Sequence, residues 1–154
     1  MTIAVEIETR IDRPAADVFA ELSAIERYPG WLIASGIVRV ERLDSGPLAV
    51  GSPLRIAQSV GGRSSVLDGT VTRLEPNRAF GLRGRDRDGV TVEIVAVLAA
   101  AESDGPGTRL RWELRIGLPL RYRLFESMLA PQVRRAAALD LEAFKRRLEA
   151  AAGG

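Results

Sequence analysis

Cysteine and histidine are both absent from the chain. Without cysteine there is no disulfide, no thiolate nucleophile and no cysteine-bound metal, so the fold has to rest on its apolar core. Without histidine neither a Ser-His-Asp triad nor a histidine-ligated zinc site can be assembled. Any general acid or base must be a carboxyl, a tyrosine, an arginine-assisted water or a group on the ligand. No metal and no cofactor are expected. Long hydrophobic runs are missing too: nowhere do about eighteen apolar residues follow one another. Met1-Thr2-Ile3-Ala4-Val5-Glu6 enters an alternating pattern at once, without the basic and apolar regions of a signal peptide. The expectation is a soluble, cytoplasmic protein without stable membrane insertion.

Charge of one sign is also lacking. Lys and Arg number 22 against 20 Asp and Glu, and the two signs interleave, so the formal charge of +2 does not describe a phosphate-tracking surface and no nucleic-acid partner is expected. Lys145 is the sole lysine, and the wealth of arginine reads first as codon composition.

What is present is 154 residues, 46% of them hydrophobic, which suits one compact domain over 1–150 with a frayed tail at 151–154, as monomer or homodimer. Ile3, Val5, Ile7 and Ile11 alternate with Glu6, Glu8 and Arg10, the two-residue period of a half-buried strand. Asp12-Arg13-Pro14 follows as a turn, with Asp12 a candidate N-cap and Pro14 near the first helical position. Ala15, Val18, Phe19 and Leu22 then recur at helical spacing, and a second short helix spans Ala24 to Tyr28 before Pro29-Gly30.

Beyond Trp31 the pattern is that of an antiparallel meander. Gly46-Pro47, Gly61-Gly62, Pro76-Asn77, Asp88-Gly89 and Gly105-Pro106-Gly107 separate six further strands. The last strand places Leu110, Trp112, Leu114 and Ile116 on one face and Arg109, Arg111, Glu113 and Arg115 on the other. After Pro119 the period becomes helical, and Tyr122, Phe125, Leu129, Val133, Ala137, Leu141, Phe144 and Leu148 form one stripe. Pro131 falls inside it, so a kink is expected there. This order of elements describes an α+β fold, a seven-stranded curved antiparallel sheet wrapped around a long C-terminal helix. One helix rarely fills the concave side of such a sheet, and the space left over is an expected ligand cavity.

Several segments resemble the polyketide cyclase/dehydrase and lipid-transport family of the START-like (SRPBCC, helix-grip) superfamily. They are Arg13-Pro14-Ala15-Ala16-Asp17-Val18-Phe19, Tyr28-Pro29-Gly30-Trp31, Gly51, Gly69-Thr70-Val71 with Leu74-Glu75-Pro76, and Gly107-Thr108-Arg109-Leu110. Asp140-Leu141, Phe144-Lys145 and Leu148-Glu149 complete the set. The resemblance runs over nearly the whole chain and implies the helix-grip fold. The superfold hosts carriers, cyclases, hydrolases, receptors and chaperone-like proteins, so it does not by itself name an activity.

Candidate site residues follow. Tyr28 and Trp31 flank a Pro-Gly turn near the expected cavity mouth, either as a hydrophobic plug or as pocket lining. Trp112, Leu114, Phe80, Phe125 and Leu129 suit a cavity wall and a packed core equally. Gln58 shares a face with Leu54, Ile56 and Val60, so it meets a ligand or water, or reaches solvent at the strand end. Arg73 faces inward with Leu67 and Val71 if the strand is regular, and the resemblance implies a polyketide-oxygen contact for it. A one-residue bulge would turn it to solvent and make Asp68 and Thr70 the inward pair. Tyr122 is a candidate ligand contact at the start of the long helix. Arg134, Arg135, Lys145, Arg146 and Arg147 read as its exposed face.

The leading functional expectation is non-covalent binding of a small hydrophobic ligand such as a lipid, isoprenoid or polyketide. The alternatives are an aromatase/cyclase or dehydratase acting through Arg73, Tyr28 or Asp68, and a chaperone-like interaction module.

Overall fold

The computed structural model describes residues 2–101 and 107–152. Its elements are β1 (Thr2–Ile11), α1 (Ala15–Ser23), a 3-10 helix (Ile25–Gly30), β2 (Ile37–Arg42), β3 (Pro53–Val60), β4 (Arg63–Glu75), β5 (Ala79–Arg85), β6 (Thr91–Ala100), β7 (Thr108–Gly117), a second 3-10 helix (Leu120–Phe125) and α2 (Glu126–Ala152). The strands form a single antiparallel sheet in the order β1-β7-β6-β5-β4-β3-β2. The chain pairs its first strand with its last, and every other neighbour is joined by a hairpin or short connection. The turn expected at Gly105-Pro106-Gly107 lies outside the described residues except for Gly107.

The two-residue alternation sorts side chains as expected. Leu110, Trp112 and Leu114 on β7 are buried while Arg109 and Arg115 are exposed. Two irregularities re-aim residues. Between Ile37 and Arg39 the register of β2 shifts, so Val38 turns to solvent at 58% exposure while Val40 is buried. A second shift falls between Val71 and Arg73 on β4.

The ends of the helices differ from expectation. Pro14 holds the N-cap position of α1 with extended dihedrals and no side-chain cap, so Asp12 lies two residues too early to cap it. The Asp12 N–H instead donates to the Glu149 carboxylate of α2 at 2.9 Å. The stretch after Pro119 begins as a 3-10 helix, and α2 proper starts at Glu126. Pro131 lies within α2 and does not end it. At the other end, Ala151 and Ala152 remain helical.

The stripe on α2 is not uniformly buried. Phe125, just before the helix, is 48% exposed, Leu129 and Val133 are half-buried, and Ala137, Leu141, Phe144 and Leu148 are buried. The buried end is held by polar ties as well: Arg13 donates to the Leu148 carbonyl at 2.8 Å and Lys145 to the Arg10 carbonyl at 2.6 Å. Arg147 pairs with Glu21 of α1 at 2.9 Å. Lys145 and Arg147 are therefore docking contacts of α2, whereas Arg134, Arg135 and Arg146 are exposed as expected.

Gly36 leads from the 3-10 helix into β2 with φ +76°, and a Cβ built there would stand 2.2 Å from the Ser59 carbonyl oxygen. The Ser59 N–H donates to the Gly36 carbonyl at 2.8 Å, so the backbone of β3 cannot retreat without breaking that bond. Gly36→Ala is expected to cost about 2 kcal/mol or more, from strain and overlap together. Equilibrium urea unfolding measures it, and an unchanged midpoint would contradict the argument.

Candidate functional site

Between the concave face of the sheet and α2 lies a cavity of about 260 Å³. Val40 and Ile56 from β2 and β3, Leu67 and Leu82 from β4 and β5, and Ile94, Trp112 and Leu114 from β6 and β7 supply its sheet wall. Leu129, Val133, Ala136 and Ala137 supply the helix wall. Gly84 leaves room in the floor, since a side chain there would press on Leu67 at 3.2 Å. An adjoining hollow of about 440 Å³ shares Gln58, Val60 and Leu129 with the cavity and carries Tyr122, Phe125 and Met128 on its rim. That hollow is the mouth.

The polar lining converges on the loop between the first 3-10 helix and β2. Asp140, on α2 and only 2% exposed, accepts the Ala34 N–H at 2.8 Å on one carboxylate oxygen and the Ser35 N–H at 3.0 Å on the other. From the opposite side Gln58 donates its amide N–H to the Ser35 carbonyl at 2.9 Å. Ser35 is thus held between helix and sheet. Burial pushes the Asp140 carboxyl above the usual range, and the hydrogen bonds from Ser35 and Ala34 offset only part of that. Among the described lining residues the titratable ones are Asp140 and Tyr28, and no cation pairs with Asp140 among the described residues.

The structure distributes the expected site residues unevenly. Tyr28, Gln58, Trp112, Leu114 and Leu129 line the cavity. Tyr28 does so with its ring, because its hydroxyl donates to the Leu22 carbonyl; burial first, and the Glu21 carboxylate second, push that hydroxyl above its ordinary pKa. Tyr122 and Phe125 stand at the mouth. Trp31 is the plug and not the lining: fully buried, it packs on Tyr28, Trp112 and Phe144 with ring centroids 5.2, 5.7 and 4.6 Å away. Phe80 points inward but beneath α1, against Phe19 at 6.5 Å, and so belongs to the core beside the cavity.

Arg73 and Asp68 lie outside it. The bulge after Val71 turns Arg73 to solvent, where it pairs with Glu75 and holds that carboxyl below its usual range. The bulge comes too late to invert the rest of β4, because Leu67 and Val71 stay buried. Asp68 therefore remains on the opposite face, its side chain 80% exposed and 3.7 Å from Arg55. The inward pairing of Asp68 and Thr70 does not occur.

Asp140 is the residue the sequence reading passed over. The signal was present: 140 lies three residues after Ala137 and four before Phe144, which puts a carboxyl on the apolar stripe. Like Gln58 on its strand, Asp140 is a polar residue on an otherwise apolar face. Among the described residues no group of three or more His, Cys, Asp or Glu gathers to hold a metal, and no helix is long and apolar enough to cross a membrane.

The model of the family described as polyketide cyclase / dehydrase and lipid transport matches residues 2–149. Among solved structures the chain is similar to the Zhui aromatase/cyclase from Streptomyces sp. R1128, with TM-score 0.76, 18% identity, and 97% of this chain and 94% of that one covered. It is also similar to TTHA0849 from Thermus thermophilus, with TM-score 0.75, 16% identity, and 96% and 98% covered. A START superfamily protein from Mycobacterium smegmatis aligns with TM-score 0.66, 19% identity, and 96% and 94% covered. At these identities the likeness establishes the helix-grip fold. None of the curated proteins matches the chain.

Because the fold raises the Asp140 pKa, the stability this group contributes is present below its unfolded value of about 3.9 and is lost as pH rises through the raised folded value. Asp140→Asn removes the titration and keeps one acceptor. The melting temperature of the variant relative to the wild type is therefore expected to rise from pH 3 to pH 7, and a pH-independent or falling difference would contradict this. Asp140→Ala leaves the Ala34 and Ser35 N–H groups without their acceptor and is expected to cost about 2 kcal/mol.

Proposed function

We propose that this chain, which belongs to the polyketide cyclase/dehydrase and lipid-transport family, binds a small hydrophobic or amphipathic molecule non-covalently in the cavity between sheet and α2. The observation that carries the reading is the cavity itself, a space of about 260 Å³ with a wall of aliphatic and aromatic side chains and its polar groups gathered at one loop. Such a composition holds an apolar body by exclusion of water and orients it through a few hydrogen bonds. Burying about 300 Å² of ligand surface at roughly 25 cal/mol/Å² supplies a gross 7–8 kcal/mol, and the strand and helix residues around it lower the ordering cost.

A cyclase or dehydratase reading draws on the family description and on the fold shared with an aromatase/cyclase. Its candidate groups do not meet in the cavity: Arg73 and Asp68 lie outside, and the Tyr28 hydroxyl is engaged by the Leu22 carbonyl. Binding is accordingly the reading the geometry favours.

The test compares protein as purified with protein stripped of bound molecules by denaturation and refolding. Native mass spectrometry should find a small apolar molecule in the first sample, and apolar ligands should raise the melting temperature of the second. Val133→Trp, which fills the cavity from α2, should reduce that shift at least tenfold in ligand concentration. Absence of both a bound molecule and a shift would overturn the proposal.

A further inference from the structure

Asp140 gives the cavity a chemical preference that its apolar wall does not. A carboxyl 2% exposed stands in the lining without a cationic partner among the described residues, and each of its oxygens accepts one backbone N–H from the loop. The Ser35 side chain bonds the carboxylate as well, and since a carboxylate has about four acceptor sites, one stays open for a further donor. The polar neighbours reinforce the direction. Ser35 and the rim residue Gln132 also line this region, and the Gln58 amide N–H is already given to the Ser35 carbonyl. No arginine or lysine is among the described lining residues, so nothing there neutralises an incoming anion.

From this arrangement we infer that the cavity selects ligands whose polar end donates hydrogen bonds, an alcohol or an ammonium group, placed against Asp140 and Ser35, and rejects carboxylates. The selection rests on the reading of the cavity as a binding site. Its cause is electrostatic: a carboxylate head would set a second negative charge beside a buried first one in a setting that water screens weakly, whereas an ammonium supplies the counter-charge the site lacks. A hydroxyl gains a charge-assisted hydrogen bond without bringing charge. Size follows from the same space. At roughly 30 Å³ per water-sized group the cavity has room for about nine such groups, which suits a chain of about eight carbons with its head.

The experiment titrates the wild-type protein at pH 7 with octylamine, octan-1-ol, octanoate and headless octane, reading affinity by chemical-shift changes of the Ala34 and Ser35 amides and by thermal shift. Octylamine and octan-1-ol should bind at least tenfold more tightly than octanoate. Asp140→Asn should shrink the amine-to-carboxylate ratio at least tenfold. Gln132→Lys, at an exposed rim position that tolerates lysine, should shift the ratio towards octanoate without altering the buried loop contacts. Equal binding of octylamine and octanoate, or a ratio unmoved in both variants, would overturn the selectivity while leaving cavity binding intact. Failure of all four probes, octane included, would overturn the binding reading and the selectivity with it.

Discussion

One helix has to cover the concave face of a seven-stranded sheet, and the rest of the structure answers to that mismatch. The sheet presents inward residues from every strand, while α2 offers one stripe of limited width. Packing is complete only where help arrives from elsewhere. At one end α1 lays Phe19 over Phe80, and the 3-10 helix drives Trp31 between Trp112 and Phe144. Where neither reaches, β2 to β7 and the middle of α2 face one another across unfilled space. The cavity is the remainder of a core that one helix cannot complete, which is why its wall is chemically indistinguishable from the core beside it.

The polar groups of Asp140 and Gln58 in that setting also close the structure. The segment Ala34-Ser35 runs without regular secondary structure between the 3-10 helix and β2, so its backbone groups need partners from outside. Asp140 answers two N–H groups and Gln58 answers one carbonyl, from elements on opposite sides of the cavity. The same two residues that secure the loop furnish the polar end of the cavity. Burial of a carboxylate at this point costs stability that the hydrogen bonds return in part, and the raised pKa records the difference.

The fold was legible because its signals are periodic. Alternation on β7 buries Leu110, Trp112 and Leu114, and the helical stripe buries Ala137, Leu141, Phe144 and Leu148, the residues that each period selects there. The site was legible only in part, since periodicity says which face a residue shares and not what lies opposite that face. Phe80 and Leu82 occupy the same face of β5, yet α1 covers the first and leaves the second to the cavity. Arg73 turned on a one-residue bulge that leaves no mark in composition. Asp12 was misplaced as a cap because Pro14 serves as well at the N-cap position as one residue later. Asp140 carried a clear signal, a charge within an apolar stripe, and its meaning needed the loop that it bridges to be seen.

The two ends of α2 are held by different physics, and this gives the cavity a direction. Towards the C-terminal end the helix is fastened by Arg13 to the Leu148 carbonyl, Lys145 to the Arg10 carbonyl, Glu149 to the Asp12 N–H, and Asp140 to the loop, over buried Leu141 and Phe144. At its N-terminal approach Leu120 and Leu124 are more than four-fifths exposed, Phe125 and Met128 about half, and Arg121 contacts Asp88 in the turn between β5 and β6. Separation at the first end would break charge-assisted bonds and expose core, while separation at the second moves side chains that solvent already reaches. Local opening follows the lesser cost. Along α2, Leu129 precedes Asp140 by eleven residues, about 16 Å at the helical rise. Under the binding proposed above, an amphipathic molecule entering beside Leu129 would meet the apolar wall first and the carboxyl last, so the order of contacts on entry would match the order of groups along such a molecule.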